Sequence, residues 1–139
     1  MHDVRRPKSD VQMFIKYKIG METKFKFEKL NVWNDAMNLG EEITILTNKF
    51  PKREVFNLTS QTCRAVDSIA LNISEGSIGQ SNPEFRKFLG YAIRSLAEVV
   101  TCLYKAKRRN YISTEEFDKF YELSFILMNK LNAFKKSIK

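Results

Sequence analysis

The feature that most constrains the fold is a long run of apolar residues, spaced three and four positions apart, between residues 82 and 108. The apolar positions are Phe85, Phe88, Leu89, Ala92, Leu96, Val99, Leu103 and Ala106. This spacing places them on one face of an α-helix, and a helix of that length is about 40 Å long at about 1.5 Å per residue. The sequence therefore predicts one long amphipathic helix with a buried face.

Three further segments show the same periodicity, over residues 30–50, 58–73 and 113–138. Pro51 ends the first of them, because proline cannot continue a helix and restricts the residue before it. Ser113 or Thr114 can cap the last, whose first turn is rich in acidic residues, as the helix dipole favours. These segments predict three more helices, joined to one another and to the long helix by short connections.

Residues 27–139 therefore predict an all-α domain, an antiparallel up-and-down four-helix bundle, because short connections make consecutive helices neighbours. No segment alternates apolar and polar residues long enough to require a strand. Residues 1–26 show no sustained periodicity, and we expect them to form a flexible, partly disordered N-terminal arm. Met21 is an alternative start within that arm.

The inventory of reactive residues argues against catalysis. The single histidine, His2, lies in the expected arm, so a serine or cysteine nucleophile has no credible general base. Cys63 and Cys102 lack the spacing of a zinc or redox motif, and we expect both to be buried, reduced thiols. Glu75 and Glu98 lie beside apolar stripes, where a carboxylate more often accepts hydrogen bonds or pairs with an arginine, such as Arg64 or Arg94, than performs chemistry. We expect a protein that is not an enzyme and has no metal and no cofactor.

The glycine-containing segment "NISEGSIGQSNPEF", residues 72–85, connects the second and third predicted helices. A phosphate-binding loop would need a lysine after its second glycine and a preceding strand, and this segment has neither. A helix corner explains it better. Gly76 fits the left-handed position that ends a helix, Ser81 can cap the next one, Pro83 tolerates an early helical position, and Glu84 can reach back to complete a capping box.

Positive charge is concentrated in the third helix. The chain has a formal net charge of +8, and residues 82–109 carry seven basic residues against two acidic ones. The seven are Arg86, Lys87, Arg94, Lys105, Lys107, Arg108 and Arg109. Such a run is either an ordinary solvated face or a surface that contacts phosphates. Because no aromatic platform is interleaved with these residues, we do not expect stacking of single-stranded bases or sequence-specific readout.

Several motifs resemble one known family. The segments "FEKLNVWNDAMNL", "LTSQTCRAVDSIALNISEG" and "EFRKFLGYAIRSLAEV", followed by an amphipathic helix, are similar to the 23S ribosomal RNA intervening-sequence proteins over roughly residues 27–136. The resemblance implies an antiparallel four-helix bundle that assembles as a basic homopentamer, with no known enzymatic activity. A related group serves as accessory proteins of diversity-generating retroelements and binds a reverse transcriptase and nucleic acid.

Six polar positions match the family motifs: Gln61, Arg64, Asn72, Glu75, Ser95 and Glu98. We interpret them as a polar network that fixes helix register or subunit contacts. Gly76 belongs to the same motif.

The leading hypothesis is a homo-oligomer that binds nucleic acid, most readily RNA, through the seven basic residues. The alternative is an interaction scaffold whose basic face docks a protein such as a polymerase or reverse transcriptase. Because no segment approaches the roughly 20 apolar residues of a membrane span and the N-terminus lacks a secretory signal, we expect a cytoplasmic protein that has no membrane partner.

Overall fold

The computed structural model describes residues 22–139, so most of the expected arm lies outside the described residues. Four α-helices follow one another: α1 (Asn31–Leu46), α2 (Leu58–Ser77), α3 (Asn82–Arg108) and α4 (Thr114–Ser137). Short 3-10 turns at Lys26–Lys29, Thr47–Lys49 and Lys52–Glu54 flank α1 and lead into α2. Residues 22–139 contain no strand, and the predicted all-α four-helix bundle is confirmed.

Contacts between the helix ends show how the helices are directed. The Asn82 side-chain amide at the start of α3 donates to the carbonyl oxygen of Lys139, just beyond α4, at 3.0 Å. Lys130, near the end of α4, pairs with Asp35 at the start of α1 at 2.9 Å. Since α1 also packs against α2, and α3 packs between α2 and α4, the four helices close into an antiparallel ring.

The buried face of α3 supplies the centre of the core, as the apolar periodicity predicts. Leu89, Leu96, Val99 and Leu103 are 0% exposed and pack with apolar residues of the other three helices. Phe88 differs from the prediction because it is only half-buried, at the edge between α3 and α2. The single apolar core of the bundle is therefore organised around the middle of α3.

Local capping sets the start of α4. The Ser113 hydroxyl accepts a hydrogen bond from the Glu116 backbone N–H at 3.0 Å, and the Glu116 carboxylate accepts from the Ser113 N–H at 2.8 Å. This reciprocal capping box satisfies two N–H groups that a helix start leaves unpaired.

The first helix is shorter than predicted: α1 ends at Leu46, and a 3-10 turn carries the chain to the buried Phe50.

The prediction that Gly76 ends the second helix in a left-handed conformation is wrong. Gly76 lies inside α2, which continues to Ser77, and no described glycine has a positive φ. A Cβ atom at Gly76 would lie 2.7 Å from Cβ of Phe88 and 2.9 Å from Cδ1 of Phe85. Glycine is needed there because α2 and α3 approach too closely for any side chain.

The start of α3 also differs in one detail from the predicted capping box. The Ser81 hydroxyl accepts from the Glu84 backbone N–H at 3.2 Å, and Pro83 occupies the first turn. The Glu84 carboxylate, however, accepts from the backbone N–H of Gln80 at 3.3 Å rather than from that of Ser81. The cap is thus built from Ser81, with Glu84 closing the preceding turn.

Candidate nucleic-acid interface

Four of the seven basic residues form a stripe on the solvent side of α3. Lys87, Arg94, Lys105 and Arg108 are all exposed. They are separated by seven, eleven and three positions, which correspond to whole turns of a helix. Because the buried residues occupy the opposite side of α3, this basic stripe points away from the core.

The other three basic residues contact the protein itself. The Arg86 guanidinium donates to the carbonyl oxygen of Ile138 at 3.0 Å. The Lys107 ammonium lies 4.5 Å from the centre of the Phe117 ring. Arg109 pairs with Glu54 at 2.9 Å. These contacts join α3 to α4 and to the α1–α2 connection, so the seven residues do not form one surface.

A shallow groove between α3 and α4 extends the basic stripe sideways. Its volume is about 540 Å³, and it is lined by Lys87, Gly90, Tyr91, Ile93, Arg94, Asn132 and Lys135. Among the described residues that line it there is no carboxylate. A Cβ atom at Gly90 would lie 3.4 Å from the Lys135 Nζ, so glycine leaves room for this ammonium over α3.

We call this surface the basic groove, and its chemistry suits a phosphate. A lysine ammonium binds phosphate as a point charge, and an arginine guanidinium can donate two parallel hydrogen bonds to it. Lys87 and Arg94 were predicted from the sequence, whereas Lys135 and Asn132 were missed. Their part in the groove depends on how α4 is aligned with α3, and no local motif signals that alignment.

The predicted polar network is only partly assembled within the chain. The hydroxyl oxygens of Ser95 and Ser68 lie 2.5 Å apart, and the Asn72 amide donates to the Ser68 carbonyl oxygen at 2.8 Å. Only the Ser68–Ser95 contact links α2 to α3, because Asn72 and Ser68 both lie on α2. A contact that can fix helix register is thus visible for Ser95, and its partner Ser68 was not predicted.

The remaining four network residues do not meet. Arg64, Glu75 and Glu98 are exposed, and Gln61 is half-buried. None of their side chains hydrogen bonds or pairs with another described residue. The expectation that Glu75 and Glu98 accept hydrogen bonds or pair with arginines at the core is therefore wrong, because both side chains are exposed. Their proposed part in subunit contacts stays a prediction.

A buried carboxylate that the sequence analysis missed lies at the far end of the bundle. Glu54 is 6% exposed and accepts hydrogen bonds from the Tyr111 hydroxyl at 2.5 Å and the Arg109 guanidinium at 2.9 Å. It also accepts from the Asn57 amide at 3.0 Å. The Tyr111 hydrogen bond is the main cause that lowers the pKa of Glu54, and burial opposes it. Glu54 thus ties the α1–α2 connection to the α3–α4 connection and is fully occupied by that structural task.

The cysteines take no part in the basic groove. Cys102 is buried and Cys63 is half-buried, and both are free thiols. Burial raises the pKa of Cys102, which keeps its thiol protonated and inert.

No cluster that could hold a metal ion occurs in residues 22–139. In the same part of the chain, no helix combines the length and apolar character that crossing a membrane requires.

Comparison with known proteins identifies the family. Residues 28–133, most of the bundle, match the family described as 23S rRNA-intervening sequence protein. The chain belongs to this family. The resemblance inferred from the helix motifs is confirmed, and both the basic groove and Gly76 lie on helices within or overlapping the matched range.

A solved structure shares the fold of this 23S rRNA-intervening sequence protein. It is a protein of unknown function from the S23 ribosomal protein family of Bacteroides thetaiotaomicron, with a TM-score of 0.69 and 22% sequence identity. The match covers 76% of this chain and 95% of that chain. At this identity the likeness shows the fold alone. None of the curated proteins matches the sequence.

Proposed function

We propose that this protein binds nucleic acid, with RNA the favoured ligand, through phosphate contacts, and that it is not an enzyme. The observation that carries the proposal is the basic groove, where Lys87, Arg94 and Lys135 surround one depression without a carboxylate among the described lining residues. The family description, which names 23S rRNA, supports RNA over DNA.

The basic stripe continues along α3 beyond the basic groove and is long enough to contact several phosphates. Lys87 and Lys105 are 18 positions apart on α3, which corresponds to about 27 Å along the helix axis at about 1.5 Å per residue. One strand of a duplex carries a charge roughly every 3.4 Å along its axis. Glu98, exposed between the two ends, is the one acid on α3 within that interval, so positive charge dominates the stripe.

A charge-removal experiment tests the proposal. We expect Lys87→Gln, Arg94→Gln and Lys135→Gln together to weaken binding of a 20-nucleotide RNA on the order of tenfold to a hundredfold at low salt, because three phosphate contacts are lost. Fluorescence anisotropy of a labelled RNA measures the affinity. Circular dichroism on the same sample shows whether the variant keeps its helices.

A matched variant controls for net charge. Lys52, Lys119 and Lys130 are exposed and lie away from the basic groove. Changing them to glutamine removes three positive charges, as many as the first variant removes. Lys119 and Lys130 form exposed ion pairs, whose loss costs about 0–1 kcal/mol each. Equal weakening by both triple variants, or no RNA binding by the natural chain at low salt, would refute the proposed site.

We include self-association in the proposal, in five copies as the family resemblance implies. Several large apolar side chains are exposed on the isolated chain: Phe56 (96%), Ile45 (67%), Ile78 (65%) and Leu71 (59%). Packing of copies of the chain against one another would bury such side chains. We expect light scattering to give five times the chain mass of 16.3 kDa, and a particle of monomer mass would refute self-association.

The alternative function, an adaptor that docks a polymerase or reverse transcriptase, uses the same basic surface. A partner protein captured by the natural chain and retained after nuclease treatment would favour the adaptor, since a partner bridged by RNA would be lost. Capture that also survives the triple charge variant would place the docking surface elsewhere.

A further inference from the structure

An exposed aromatic cluster lies on the same side of the bundle as the basic groove. Tyr104 of α3 is 43% exposed, and Tyr121 and Phe125 of α4 are 38% and 54% exposed. The rings of Tyr104 and Tyr121 meet edge to face with centroids 6.3 Å apart. Three large rings that remain accessible at one helix pair form a surface on which a flat ligand can stack.

The alignment of α3 and α4 makes this aromatic cluster continuous with the basic groove. Gly90 lies beside Lys135, and Tyr104 lies beside Tyr121, so the two antiparallel helices keep one register over this length. Phe125 is one turn from Tyr121 on the side of α4 that also carries Asn132. The ten positions from Phe125 to Lys135 correspond to about 15 Å along α4.

The surface between the basic groove and the aromatic cluster is largely apolar. Ile93 and Met128 are half-buried there, and Ala97 is exposed. Asp118 and Glu122 are exposed on α4 close in sequence to Tyr121 and Phe125, whereas Lys105 and Arg108 are exposed on α3 close in sequence to Tyr104. The basic residues and the exposed rings together offer contacts to the phosphates and to the bases of one strand.

We propose that the ligand of this surface is single-stranded nucleic acid, with phosphates in the basic groove and bases stacked on Phe125 and Tyr121. The inference rests on the proposed function and specifies its ligand. Every base presents a π-face, so aromatic stacking binds unpaired bases without strong sequence preference. Bases inside a duplex are already stacked on one another and cannot make this contact.

The sequence of the third helix did not predict this stacking surface. The third helix alone shows no aromatic platform, because Tyr121 and Phe125 come from α4. They join the basic residues only through the packing of α3 against α4.

The test compares single-stranded and duplex RNA of equal length by anisotropy. We expect Phe125→Ala to weaken single-strand binding on the order of tenfold and to leave duplex binding unchanged. Phe125→Trp, which keeps an aromatic surface, should restore single-strand binding. Ile126→Ala is the matched control, because Ile126 is 44% exposed on the same helix but lies beside α1 rather than α3. It should change neither affinity.

The outcomes separate this inference from the proposed function. If the natural chain binds neither RNA, both are wrong. If it binds both forms equally and Phe125→Ala has no effect, phosphate binding stands and the stacking surface is refuted. If Phe125→Ala instead lowers the particle mass in light scattering, the aromatic cluster is an interface between copies of the chain, which also overturns the inference.

Discussion

Replacing Leu96 with alanine should lower the free energy of unfolding by about 2–5 kcal/mol. Leu96 is 0% exposed in the middle of α3, the helix that packs against both α2 and α4. Truncation removes buried methyl groups and leaves a cavity that three surrounding helices can fill only partly. Urea unfolding followed by circular dichroism measures the change.

A control on the same helix shows whether the effect comes from burial. Thr101 is exposed on α3, and we expect Thr101→Ala to change stability by no more than about 0.5 kcal/mol. A near-neutral Leu96→Ala would mean that α3 is rotated relative to the core described above. The basic stripe on its opposite side would then be misplaced as well.

Replacing Gly76 with alanine should destabilise the bundle by about 1–3 kcal/mol, the usual range for overpacking. The added Cβ would meet Cβ of Phe88 at 2.7 Å, an atom held close to the α3 backbone that cannot rotate away. Helix propensity favours alanine over glycine by about 1 kcal/mol. The steric effect must exceed this gain, because α2 and α3 have to separate to admit the methyl group.

Gly40 provides the matched comparison. It is also a buried helical glycine, in α1, but a Cβ there would only touch the Asp67 carboxylate oxygen at 3.7 Å, an ordinary contact. We expect Gly40→Ala to stabilise the protein by up to about 1 kcal/mol. If chemical denaturation showed Gly76→Ala and Gly40→Ala to be equally stabilising, the close approach of α2 and α3 would be contradicted.

The helices were predictable because their signals are local. The three- and four-residue spacing of apolar positions identified α3 almost to the residue, since a helix that buries one face requires that spacing. Pro51 and the Ser113 cap likewise act within one turn of their own positions. Packing four such helices with short connections then leaves few arrangements.

Gly76 shows where local reasoning fails. A glycine that precedes a polar, proline-containing segment is typical of a helix end, and the sequence offers no sign that α2 continues past it. The reason for glycine lies in α3, where Phe85 and Phe88 take the space of its side chain. Glu54 is similar, because its partners Arg109 and Tyr111 are more than 50 positions away.

The sequence indicated that the candidate site is positively charged, but it did not indicate which basic residues share one surface. The concentration of positive charge on α3 was evident, but Arg86, Lys107 and Arg109 proved to contact the protein itself. Lys135 joins Lys87 and Arg94 from another helix, so the groove exists only once α3 and α4 are aligned. Which charges share a surface depends on tertiary contacts that composition does not encode.

The salt dependence of RNA affinity, measured side by side for the natural chain and the Lys87, Arg94 and Lys135 triple variant, tests the central claim most directly. For single strands, the logarithm of the binding constant falls with the logarithm of salt concentration with a slope of about −0.7 per phosphate contact. Loss of three contacts should therefore make the slope shallower by about two. Identical slopes for the two proteins would contradict phosphate binding in the basic groove.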